Sequence, residues 1–103
     1  MDVTYYEDAK SVNAGLAKAP DGFLFQRIAD ELSLVFNVNW KSKLDGLDQR
    51  YWDFEYKGLD LTLHLEHYLG IIIYADKSKK DIESVRQVLA EIADHFKTWK
   101  PSN

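Results

Sequence analysis

The chain has no cysteine among its 103 residues. That excludes a disulfide framework, a thiolate nucleophile and any zinc site built on Cys ligands. Apolar runs are short, and none approaches the roughly 18 residues of a bilayer-spanning helix. The opening MDVTYYEDAK is acidic and has neither a basic n-region nor an apolar h-region, so no secretory leader is expected. Bases are not in excess either: the net charge is −4. Phosphate backbones attract basic patches, so nucleic acid is not the expected partner. Glycine-rich phosphate loops, nucleophile elbows and H-E-x-x-H are all missing, as are repeats and low-complexity segments.

What is present is an ordinary globular composition, 46% hydrophobic and 14% aromatic, which suits one packed core and argues against disorder. Residues 1–103 are read as a single domain, cytoplasmic, with no membrane segment and no cofactor. The charge is unevenly placed. Between Asp45 and Glu66 six acids face two bases, and that window holds the entire net charge of −4 while the rest balances.

Periodicity gives the elements. Residues 2–6 form a short strand and 7–19 a loop or loose turn. Apolar residues Phe25, Ile28, Ala29, Leu32, Val35 and Phe36 predict a helix over 22–36, with Asp21 as N-cap. Residues 37–40 run briefly as a strand and 41–49 as mostly loop. In YWDFEYKGLDLTLHLE the period is two, and Lys57-Gly58 forms a two-residue hairpin turn. That register sets Trp52, Phe54, Leu61 and Leu63 on one face. It pairs Glu55 with Asp60, Asp53 with Thr62 and Tyr51 with His64 on the other. Next, HYLG is a turn with Leu69 tucked into the core, and GIIIYA a central strand covered on both sides. SKKD matches a capping box with Ser78 as N-cap, opening an amphipathic helix over 79–98 that ends before Pro101. The fold class is α+β: a two-layer sandwich of a mainly antiparallel sheet, four to five strands, with two helices on one face.

LTLHLEHYLG gathers His64, Glu66 and His67. On a strand His64 and Glu66 share a face while His67 points away or lies in the turn, so the two histidines make a poor metal pair. Zinc needs three or four ligands and His95 is the one other histidine, so Asp or Glu would have to complete a site, and no metal is expected. Two readings stay open for His64. It is a half-exposed cross-strand partner of Tyr51, or it is a general base flanked by Glu66 and Tyr51 whose pKa the nearby carboxylates raise.

At 50–74, the features Tyr51-Trp52-Asp53, Gly58, Leu61-Thr62-Leu63-His64 and Tyr68-Leu69-Gly70 resemble a family of short, uncharacterised proteobacterial proteins of about 100 residues. The resemblance implies a bacterial cytoplasmic protein and no particular chemistry. Size, acidity and layout are also similar to bacterial toxin-immunity proteins, which cover the active site of a basic toxin. The expected function is therefore a non-enzymatic protein-binding module, in its finer form an immunity-type inhibitor. It would dock a basic protein partner through Tyr51, Asp53, Glu55, Asp60, His64 and Glu66. The alternative is a small enzyme or ligand-binding protein centred on His64, Glu66 and Tyr51. A homodimer through the sheet is the third reading.

Overall fold

The computed structural model describes residues 1–78 and 81–101. Its elements are β1 (Thr4–Glu7), β2 (Ser11–Ala17), α1 (Gly22–Phe36), β3 (Asn39–Asp45), β4 (Gln49–Tyr56), β5 (Leu59–Glu66), β6 (Gly70–Asp76) and α2 (Ile82–Thr98). The strands form one antiparallel sheet in the order β1-β2-β6-β5-β4-β3. Among the described residues, six strands therefore replace the four to five expected; the α+β class and the two helices stand. Among the described residues, no helix is long and apolar enough to cross a membrane.

The β4–β5 hairpin forms in the register that the alternation predicts. Tyr56 pairs with Leu59, Phe54 with Leu61, Trp52 with Leu63 and Tyr51 with His64. Lys57 and Gly58 turn the chain with φ of 53° and 76°, the left-handed pair that a two-residue turn requires. Trp52, Phe54, Leu61 and Leu63 are buried beneath the helices, beside Phe25, Ile28 and Leu32 of α1 and Leu89, Ile92 and Phe96 of α2. The ring of Phe25 meets Trp52 edge-on at 5.0 Å. Phe36 does the same to His95 at 5.3 Å, joining the two helices over the same side of the sheet. The other side carries Tyr51, Asp53, Glu55, Thr62, His64 and Tyr74, and neither α1 nor α2 covers it.

Asp21 caps α1 as expected, its carboxylate accepting from the N–H groups of Phe23 and Leu24. The other cap differs. Asp81, not Ser78, caps α2, which begins at Ile82, while Ser78 donates its N–H and hydroxyl to Asp76 in the preceding turn. Lys79 and Lys80 of the SKKD pattern, where the helix was expected to open, lie outside the described residues.

β2 was expected as loop or loose turn, and β3, expected as strand only to residue 40, runs on through residues expected as loop. β2 reads SVNAGLA, where small residues mute the alternation and a register shift between Gly15 and Ala17 breaks it. β3 is an edge strand, exposed along nearly its whole length, so burial imposes no period on it. Isoleucines 71, 72 and 73 are all buried in β6, but the strand is not covered on both sides as expected: Ile71 and Ile73 join the core, while Ile72 lies outside it on the open side, paired with His64. Leu69 is not: it is exposed at the turn. Gly70 starts β6 at φ +80°, and a Cβ there would lie 2.0 Å from the carbonyl oxygen of Ala17, so only glycine lets β6 begin beside the end of β2.

The β5–β6 ladder stops early. Its last pair is Thr62 with Tyr74, yet β5 continues against β4 to Leu59 and β6 against β2 to Asp76. Below Thr62 and Tyr74 the sheet forks.

Candidate functional site

Strand alternation delivers all six residues expected to bind a partner to the uncovered face, but in different states. Asp53 and Asp60 are exposed, and Glu55, Glu66 and Tyr51 are partly covered. His64 is only 8% exposed, against the expectation of half-exposure. Tyr51 lies flat on it and the ring of Tyr74 meets it edge-on at 5.9 Å, so its own neighbours bury it. Its Nε2 is buried and finds no hydrogen-bond partner among the described residues. Burial pushes the imidazole below its ordinary pKa, and the Glu66 carboxylate opposes this only in part, so the expected upward shift is reversed.

Glu66 is committed elsewhere. Its Oε2 accepts the backbone N–H groups of Tyr68 and Leu69, fixing the turn into β6. The Tyr51 hydroxyl donates to Gln49. The triad of the enzyme reading is thus brought onto one face and then spent on stacking and turn geometry. His67 is in that turn beside Tyr68, and His95 sits on α2 with Nε2 2.6 Å from Glu31 Oε2 of α1. The three histidines lie in three separate settings.

The carboxylates of the hairpin are organised by two residues that the sequence pattern did not single out. β3 shifts register between Trp40 and Ser42. A bulge of this kind re-aims side chains, and both Lys41 and Ser42 reach the uncovered face. Lys41 Nζ lies 3.2 Å from Glu55 and 3.4 Å from Asp60, between the two acids that face one another across the hairpin. Their attraction raises the pKa of Lys41. Ser42 donates to Asp53 at 2.9 Å, and Thr62 donates to its other oxygen at 2.6 Å. The like-charge cost of opposing Glu55 and Asp60 is relieved by a cation from the neighbouring strand.

At the fork lies a cleft of about 400 Å³ lined by Lys41, Asp53, Asp60, Thr62, Tyr74 and Asp76 over Leu61, Ala75 and Val85. His64 is one row away and is not part of this lining. No local pattern announces the cleft, because it depends on where two strands part.

A protein-family model described as "Protein of unknown function (DUF3630)" matches residues 3–94, and the chain belongs to that family. No curated protein matches the chain, and no solved structure does.

Proposed function

We propose that this member of a family of unknown function is a non-enzymatic protein-binding module that docks a basic partner through the uncovered face of its sheet. One arrangement carries the reading: Asp53, Glu55 and Asp60 stand side by side across β4 and β5, on the side that the helices leave open. Exposed carboxylates so placed attract a basic surface over a screening length of about 8–10 Å at physiological salt. They orient and speed association more than they hold the complex. Lys41 and Ser42 keep these acids in fixed positions, so the face is a set pattern of charge. Tyr51 supplies aromatic contact area beside it. In its finer form the reading is an immunity-type inhibitor in a bacterial cytoplasm, laid over the basic active site of a toxin.

The enzyme reading gains no support from His64, whose Nε2 is sealed, nor from Glu66, whose carboxylate already holds a turn. The test is binding kinetics against a partner captured from native extract. Association should slow steeply as salt rises, while dissociation changes little. Charge reversal of Asp53 and Glu55 together should slow association by roughly an order of magnitude. An association rate indifferent to both would leave the face as mere solvated surface.

A further inference from the structure

The cleft at the fork offers more than a charged surface. Its volume of about 400 Å³ falls within the rough range of 300–1,000 Å³ typical of small-ligand sites. The floor is apolar, formed by the edges of Leu61, Ala75 and Val85, which otherwise pack into the core. Three carboxylates (Asp53, Asp60 and Asp76) and one ammonium, on Lys41, stand around it. Among the described residues, no three His, Asp or Glu side chains converge closely enough to hold a metal ion. The acids are spread along walls instead, above hydrocarbon. That layout suits an organic cation on an apolar stem, the stem lying on the floor while the head reaches the carboxylates. The protein seats such a group at the rim itself, since Lys41 places its ammonium between Glu55 and Asp60.

We propose that the cleft is a binding site for an alkylguanidinium group, presented as an arginine side chain by the basic partner. The source of the arginine rests on the docking reading above; the cleft chemistry stands apart from it. Guanidinium fits better than ammonium because its planar fork of donors engages separated carboxylate oxygens, where an ammonium acts as a point charge. Lys41 competes for Asp60, the cleft acid that it already pairs with, and so tunes the affinity.

The probe is n-butylguanidinium, titrated into the full chain while amide shifts are followed by NMR. Saturable shifts should centre on Leu61, Thr62, Tyr74 and Ala75, and n-butylurea, equal in shape but uncharged, should not produce them. Lys41→Met should tighten binding and Asp60→Asn weaken it, each by roughly two- to fivefold, the reach of one partly exposed ion pair. Asp48→Asn, an acid of the β3–β4 turn, should leave it unchanged. Absence of saturation, equal binding of the urea, or equal weakening by Asp48→Asn and Asp60→Asn would overturn the proposal. The two readings separate cleanly. Cleft binding with salt-indifferent partner association discards the docking face alone. Salt-steered association with a cleft that ignores the probe discards the cleft alone.

Discussion

Tyr51 stacks on His64 across the β4–β5 hairpin, with ring centroids 4.2 Å apart and planes inclined by 17°. The stack, closed by the edge of Tyr74, excludes water from an imidazole on the side of the sheet that neither α1 nor α2 covers.

The first prediction follows from that burial. The pKa of folded His64 lies below the ordinary value, so between the folded and unfolded values the unfolded chain binds more protons. Stability should therefore be unaffected well above about pH 6.5, decline as pH falls through the unfolded value of about 6.5, and go on declining to the folded value. Glu66, the charged group acting on the ring, moderates the loss. Denaturant melts from pH 8 to 5 should show this slope in the native chain and a flatter one in His64→Gln. Parallel slopes would assign the acid sensitivity to other groups.

Leu63→Ala should cost about 2–5 kcal/mol, because a fully buried leucine leaves a cavity under the helices. Leu44→Ala, on the exposed edge strand, should stay within about 0.5 kcal/mol. Urea midpoints of the two variants, with unchanged m-values, are the measurement. A Leu63→Ala loss below 1 kcal/mol, on the scale of ordinary core truncations, would contradict its central place.

Gly70→Ala and Gly22→Ala should separate widely. At Gly70 a methyl meets the Ala17 carbonyl and a left-handed backbone together, for a loss of roughly 2–5 kcal/mol. At Gly22 nothing lies within 4 Å of the new Cβ, and the first turn of α1 should tolerate or gain from it. Thermal unfolding of both variants distinguishes them.

Charge reversal of Asp53 and Glu55 should leave the fold intact, the circular dichroism spectrum unchanged and the stability within about 1 kcal/mol. Asp53 gives up hydrogen bonds from Ser42 and Thr62, and Glu55 gives up Lys41, but both carboxylates face water. Loss of the native spectrum would mean that these acids hold the sheet together.

The hairpin was legible in the sequence because two alternations and one turn had to agree, and any slip would have put Asp53 or Glu55 in the core. Both helices announced themselves by period, α1 also by its Asp21 cap. The rest left weaker traces. In β2, Ala14 and Gly15 offer little apolar contrast, and in β3 exposure removes it altogether. Ser78 matched a capping pattern, but a closer carboxylate, Asp76, took its hydroxyl and Asp81 took the helix. On the face of the sheet, residue types predicted side but not depth: His64 was placed correctly beside Tyr51, yet only Tyr74, contributed by β6, closes it off. Lys41 reached the acidic face through a bulge, and a one-residue register shift has no compositional signature.

The strand order also has a temporal consequence. From β3 to β6 each strand lies against its sequence neighbour, so these ladders close short loops. The β2–β6 seam joins residues 11–17 to 71–76, with α1 and three strands threaded between, and it carries the largest loop-closure entropy in the sheet. The meander should assemble first and the N-terminal hairpin dock last, which makes the Val12–Ala75 and Ala14–Ile73 rungs the ones that set the refolding rate.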